Sequence, residues 1–327
     1  MTRVLEVDNL RVSFPAPDHR RFFPVDGVSF TLDRGETLAL VGESGCGKSL
    51  TSLALLQLVP PPGRVESGST IRLADTDVLS LEGEALRRIR GRRIGMIFQD
   101  PMTSLNPVFT VGDQIAEGVR AHLPVSRAEA RERARTLLQE VGIPDPSGRL
   151  DAYPHQLSGG MRQRVMIAIA LAAEPEILVA DEPTTALDVT VQAQILEVLD
   201  RLRRARGMAV LLITHDLGIV AGRADRVAVM YAGQIVEEAP TPELFAHPSH
   251  PYTQGLFASV PRISGPVNRL TPIAGTVPPA TAWPAGCRFR PRCPQAFEKC
   301  QLPPELLPVG PDHRMRCWLA EGKAVRD

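Results

Sequence analysis

Polar and apolar positions alternate at the start of the chain. Leu5 and Val7, Val12 and Phe14, then Val28, Phe30 and Leu32 recur at every second position, the period-two pattern of half-buried strands. They predict a β-rich opening of short strands, broken by a loop from Pro15 to Pro24 that holds three prolines and several charges. From Glu36 the pattern becomes an apolar strand, Thr37 to Val41, then a glycine-rich turn and a helix over roughly Ser49 to Leu58, stopped by Pro60-Pro61-Pro62. Between about residues 100 and 165 the period lengthens. Ser126 and Glu129 form a capping box, and Ala130, Ala134, Leu137, Leu138 and Val141 share one helical face before Gly142, so this stretch reads as a helical insert. Two buried-type strands, Ile177 to Ala180 and Ala209 to Ile213, flank a helix from about Val191 to Arg204. The order β, α, β predicts an α/β fold with a parallel sheet covered on both faces. After Glu237 proline becomes frequent and periodicity fades, which places a boundary near residue 240 between a large domain, 1–240, and a loop-rich tail, 241–327. The sequence shows no convincing internal repeat.

Composition narrows the function. The 327 residues are 43% apolar and 23% charged, with 37 basic and 37 acidic side chains, the profile of an ordinary globular protein. Zero net charge supplies no basic field to gather nucleic acid or anionic lipid, so nucleic acid is not an expected partner. Arg3, Glu6 and Asp8 interrupt the first ten residues, which therefore lack the apolar core of a signal peptide. The longest apolar run of helical character, Val165 to Ala173, is about half the roughly 20 residues that span a bilayer. A cytoplasmic chain is expected, and any membrane role must come from a partner.

Gly42-Glu43-Ser44-Gly45-Cys46-Gly47-Lys48-Ser49 fits the phosphate-binding pattern G-x-x-x-x-G-K-[ST] and lies between a predicted strand and helix, where its mechanism requires it. The glycines let the backbone curl so that successive N–H groups face phosphate oxygens. Lys48 reaches the β and γ oxygens, and Ser49 ligates Mg²⁺. Lys48 is the only lysine before Lys299 in a chain that otherwise uses arginine, which weakens the alternative of an accidental turn. Ile177-Leu178-Val179-Ala180-Asp181-Glu182 is an apolar strand ending in two carboxylates. Adjacent acids at a buried strand end are costly without a cation or substrate. Asp181 is expected to hold Mg²⁺ and Glu182 to polarise the attacking water.

With these elements in place, Leu157-Ser158-Gly159-Gly160-Met161 resembles the signature motif of the ATP-binding-cassette (ABC) family, shortly before the carboxylate strand as in that family. Gln99 matches its glutamine loop, Ala186-Leu187-Asp188 its D-loop, His215 its switch histidine and Phe14 its adenine-stacking aromatic. The resemblance covers about residues 4–240. It implies a phosphate-loop NTPase core with a RecA-like parallel sheet, an antiparallel β subdomain and an α-helical subdomain at about 100–165. It also implies ATP and Mg²⁺ as ligands. Nucleotide contacts are expected from Phe14, Gly42 to Ser49, Leu50, Ser158, Gly159, Gly160 and Asp188. Mg²⁺ contacts are expected from Ser49, Gln99 and Asp181, and catalytic roles for Glu182, His215 and Gln99. In the family the signature of one subunit closes over the phosphate loop of another. Met161 replaces the usual signature glutamine, and Cys46 stands where serine or alanine is common; neither is expected to remove activity.

Several stretches resemble the oligopeptide and dipeptide importer branch: Val41 to Gly45, Phe98 to Pro107, Asp181 to Asp188, and His250-Pro251-Tyr252-Thr253. That branch implies two transmembrane permease subunits and a second ATPase subunit, related but different in sequence. It further implies an extracytoplasmic substrate-binding protein and a position on the cytoplasmic face of a bacterial inner membrane. The tail cysteines, Cys287, Cys293, Cys300 and Cys317, are spaced C-x5-C-x6-C-x16-C. They are compatible with a [4Fe-4S] cluster, with a structural Zn²⁺ whose sites favour tighter pairs, or with disulfides, which a cytosolic location disfavours. The branch carries such a cluster in its tail, so the resemblance implies a metal-binding tail; His313 is near enough in sequence to be an alternative ligand, but a surface histidine is the preferred reading. The expected function is ATP hydrolysis coupled to uptake of di- or oligopeptides. Nickel chelates and glutathione remain open as cargo. A soluble non-transport cassette is the rival of another class, and a small-molecule kinase leaves the signature motif unexplained.

Overall fold

The computed structural model describes residues 2–100, 104–185, 187–259 and 272–322. Pro101, Met102 and Thr103 of the importer-like stretch, Ala186 of the D-loop match and residues 260–271 of the tail lie outside them. In chain order the strands are β1 (Arg3–Pro15), β2 (Arg21–Asp33), β3 (Thr37–Val41), β4 (Arg64–Val65), β5 (Thr70–Leu73), β6 (Thr76–Asp77), β7 (Ile94–Ile97), β8 (Ile177–Asp181), β9 (Ala209–Thr214), β10 (Arg226–Tyr231), β11 (Gln234–Pro240), β12 (Leu307–Gly310) and β13 (His313–Met315). The helices are α1 (Lys48–Ala54), α2 (Gly83–Ile89), α3 (Val111–His122), α4 (Arg127–Glu140), α5 (Pro146–Arg149), α6 (Gly159–Ala170), α7 (Val189–Arg206), α8 (Leu217–Ala221), α9 (Thr241–Ala246) and α10 (Pro251–Ala258).

The described chain divides into two units. One comprises Met1–Leu5, Thr31–Glu36 and Arg72–Ile213; the other comprises Glu6–Phe30, Thr37–Ile71 and Thr214–Asp327. In the first unit β7, β8 and β9 run parallel, with Ile94 beside Ile177 and Ile177 beside Ala209. β8 and β9 are buried at every position, which is why they read as continuous apolar runs rather than alternations. The helical insert is present: α3 and α4 pack on each other and on α6. α4 begins on the expected capping box, where the Ser126 N–H donates to the Glu129 carboxylate at 2.8 Å and the Glu129 N–H donates back to Ser126 Oγ at 3.2 Å.

In the second unit β3 is parallel to β10, and β10 is antiparallel to β11. β13 then pairs with β11, setting Glu237 beside Met315, and β12 pairs with β13. The tail thus supplies two strands to this sheet, and the sequence boundary near residue 240 falls inside the unit. Its core residues come partly from the tail as well. Tyr231, Tyr252 and Phe289 form an aromatic triad with centroids 4.6 to 5.4 Å apart, packed with Cys287 and Cys300 in one buried cluster.

Three local expectations are revised. The break between β1 and β2 spans residues 16–20 rather than Pro15 to Pro24, because β2 is an edge strand. There the missing N–H of Pro24 forfeits no ladder bond. β1 is one strand rather than two, continuous through Asn9, whose φ of 47° interrupts the alternation. α1 stops at Ala54, short of the expected Leu58, and Gln57 turns to a φ of 50°.

Candidate nucleotide and catalytic site

The phosphate loop belongs to the second unit and leaves β3, a strand buried at all five positions. Its glycines are required by close approach. A Cβ on Gly42 would lie 2.2 Å from the Met230 carbonyl oxygen, and one on Gly47, at φ 106°, would lie 2.5 Å from the carbonyl of Pro24. Lys48 is buried, and its Nζ donates to the carbonyls of Gly42 at 2.7 Å and Glu43 at 3.1 Å. The ammonium is therefore held inside the curl of the loop by bonds that phosphate oxygens can replace. Cys46 is fully buried and its thiol pKa is raised by desolvation, against the opposing pull of Lys48. This makes it a packing group rather than a nucleophile.

The loop is braced from outside at two points. The Gly233 N–H donates to the Cys46 carbonyl at 2.9 Å, and the Glu43 N–H donates to Tyr252 Oη at 3.0 Å. The Glu43 carboxylate accepts a fork from Arg292, with Nη1–Oε2 2.8 Å and Nη2–Oε1 3.1 Å. Burial alone would lower the Arg292 pKa, but its bonds to Glu43 and Tyr231 outweigh that and raise it. Tyr252 is pushed up by burial and stays a neutral phenol. Phe14, expected against adenine, is half-buried and stacks on Phe22 with centroids 5.9 Å apart. His215 stands exposed just after β9.

The first unit carries the second set of expected residues. Asp181 ends β8 and is buried, and Glu182 follows with φ 48° and its N–H donating to the Ile213 carbonyl at 2.9 Å. The Glu182 carboxylate accepts from Gln99 Nε2 at 3.2 Å and from Thr185 Oγ1 at 2.8 Å. The structure therefore joins Gln99 to the carboxylate expected to act on water. Ser158 caps α6, its Oγ accepting the Met161 N–H at 3.3 Å, with Gly159 and Gly160 as the first helical residues. A Cβ on Gly160 would meet Val191 at 2.7 Å. Asp188 caps α7 by accepting the Val191 N–H at 2.9 Å, a local role that the motif alone does not reveal. Phe98, Val108 and Phe109 form exposed apolar positions on the same unit.

Ser49, Gln99 and Asp181 offer oxygen ligands, the type a hard cation such as Mg²⁺ takes. The tail is different. Cys287, Cys293, Cys300 and Cys317 are all free thiols, and the pKa of Cys317 is raised by burial to about 11, with the other three tail thiols contributing in the same direction. They are close enough to sense one another. Among the described residues, however, no group of three or more His, Cys, Asp or Glu side chains is arranged to hold a metal ion, so the fold does not support the expected metal-binding tail. His313, expected at the surface, is buried: its Nε2 pairs with the Glu237 carboxylate at 2.8 Å, which also accepts the N–H groups of Ser249 at 2.6 Å and His250 at 2.9 Å. Desolvation opposes ionisation of Glu237, but these bonds prevail and hold its pKa low. Sequence reading missed this hub and Arg292 alike. The pattern Arg288-Phe289-Arg290-Pro291-Arg292-Cys293 was its one visible signal, three arginines in a segment otherwise read for cysteines.

A strand-borne phosphate loop, a carboxylate strand coupled to a glutamine loop, and a serine-glycine-glycine helix start beside a helical insert define a nucleotide-binding domain of the ATP-binding-cassette class. Over residues 25–185 the chain matches the ABC transporter family, and over 236–300 the oligopeptide/dipeptide transporter C-terminal region. It is 50% identical to the oligopeptide transport ATP-binding protein AppD of Bacillus subtilis, across 98% of both chains, and 50% identical to the dipeptide transport ATP-binding protein DppD of the same organism, across 99% and 97%. The dimeric ATP-binding cassette MJ0796, in a post-hydrolysis state with ADP and Pi, superposes with a TM-score of 0.65 at 25% identity, over 72% of this chain and 98% of that one. The chain belongs to the ABC transporter ATP-binding proteins of the oligopeptide/dipeptide branch, and it is an ATPase.

Proposed function

We propose that the chain hydrolyses ATP on the cytoplasmic side of a membrane to power import of short peptides through permease subunits that it does not itself contain. The observation that supports this most is near-full-length likeness to peptide-transport ATP-binding proteins, together with the bonded Gln99–Glu182 pair. Among the described residues no helix is long and apolar enough to cross a membrane, so the transmembrane path belongs to partners. Loop N–H groups and Lys48 bind the phosphates, and Phe14 stacks on adenine. Ser49, Gln99 and Asp181 hold Mg²⁺, which when bound offsets charge on the transferring phosphoryl group. Glu182 orients the attacking water and draws off its proton, and His215 steadies the γ-phosphate. Ser158, Gly159 and Gly160 present helix N–H groups to the nucleotide of a second cassette, with Asp188 beside them. Phe98, Val108 and Phe109 receive the permease.

The second ATPase is a related, different chain, and an extracytoplasmic binding protein delivers the peptide. The iron–sulfur reading of the tail rests on four unbridged thiols, Cys287, Cys293, Cys300 and Cys317, and on the branch's own habit. Zinc is its alternative. Metal analysis of the purified transporter decides it: about four irons per chain with absorbance near 400 nm support the cluster, and zinc or no metal removes it. For the central function, Glu182→Gln is the test. It should lower ATP turnover at least about 100-fold while ATP still binds, and unchanged turnover would sink the assignment.

A further inference from the structure

The phosphate loop carries a carboxylate where an anion must bind. Glu43 is its second residue, and the Glu43 carbonyl bonds the Lys48 ammonium at 3.1 Å. A free negative charge here would repel the nucleotide's phosphates across a short, poorly screened distance. The fold answers with Arg292. Its side chain is 6% exposed, that of Glu43 27%, and the fork places each terminal guanidinium nitrogen on one carboxylate oxygen. The guanidinium is itself fixed: Nε donates to the Ala274 carbonyl at 2.9 Å and Nη1 to Tyr231 Oη at 3.4 Å. All these groups lie in the second unit.

We infer that Arg292, a residue of the C-terminal tail, is a positioning residue for the phosphate loop, neutralising Glu43 so that the loop accepts ATP. The tail thereby sets nucleotide affinity through an ion pair, while the adjoining Tyr252–Glu43 bond keeps the loop backbone in register. Pre-fixing the loop also removes ordering cost from binding. The inference rests on reading residues 42–49 as the phosphate loop, so the experiment carries its own control.

ATP binding and steady-state hydrolysis are measured on the assembled transporter. Arg292→Gln should weaken ATP binding about tenfold, equal to about 1.4 kcal/mol, with kcat within about twofold of the parent. Glu43→Gln removes the charge that needs neutralising while keeping the loop's backbone N–H and carbonyl groups. In the double variant it should restore most of the loss, since paired groups are not additive. Arg292→Lys, which keeps the charge without the fork, should stay within about threefold, and it serves if Arg292→Gln does not assemble. The inference is overturned if Arg292→Gln binds ATP as tightly as the parent, or if adding Glu43→Gln to it fails to restore binding. A merely structural role would lower the melting temperature of Arg292→Gln without a selective change in ATP affinity. Lys48→Ala separates the two readings: if it binds ATP normally, the loop assignment fails, not the clamp.

Discussion

Glu182 sits at a φ of 48°, a conformation that costs a non-glycine residue of order 1 kcal/mol and persists where the surroundings over-determine it. Here the surroundings are an N–H bond to Ile213 and side-chain bonds from Gln99 and Thr185. Gln99→Ala should therefore lower kcat about tenfold or more by freeing the carboxylate, with a smaller change in ATP affinity, as read by steady-state kinetics. A second residue reports on pH. His250 is fully buried, and desolvation lowers its pKa from the ordinary 6.5 to about 4, against the partial opposition of Glu237. Protonation thus costs the folded state. The stability held by neutral His250 is intact above pH 6.5 and is lost as the pH falls through 4, by about 3 kcal/mol in all. Chemical denaturation at pH 7 and at pH 4 should show it, and His250→Asn should flatten that difference. At this scale the motif residues were legible, because phosphate chemistry fixes both residue type and spacing. His250 and Glu237 were not, since a glutamate on β11 and a histidine 13 positions later, beyond α9, share no period that would reveal their pairing.

β11 and β13 are joined by more than their ladder. The buried Glu237 on β11 faces His313 at the start of β13, so the tail strand is fixed through a carboxylate that needs its partner. His313→Ala leaves that carboxylate short of a bond inside the fold. It should cost about 2–4 kcal/mol of stability, measured by denaturant titration, and it should free the tail to proteolysis before the rest of the chain. β3, β8 and β9 were readable in sequence to within a residue, because strands buried on both faces give unbroken apolar runs. α4 was readable through its capping box. β12 and β13 were not. They are four and three residues long and depend on an edge that β11 supplies, so their periodicity is too short to register. The proline-rich look of the tail accordingly hid an ordered structure with borrowed core.

Across the whole molecule, the sequence resolved the class of machine and its branch, because six motifs in one order are constrained by one chemistry. It did not resolve how the tail is held, which depends on contacts between residues far apart in sequence, 249 positions for Arg292 and Glu43 and 262 for Arg288 and Asp26. Coupling to the membrane is the property of this scale. Phe109, 51% exposed two residues before α3, should transmit it. Phe109→Asp should leave ATP binding within about twofold and abolish most peptide uptake, since a charge in a desolvated contact is costly. The most direct test of the account is ATP-dependent uptake of a labelled di- or oligopeptide in proteoliposomes containing the complete transporter, with the parent chain and with Glu182→Gln. Uptake that requires ATP and falls at least about 100-fold in Glu182→Gln is the predicted result; peptide uptake undiminished by Glu182→Gln would contradict it.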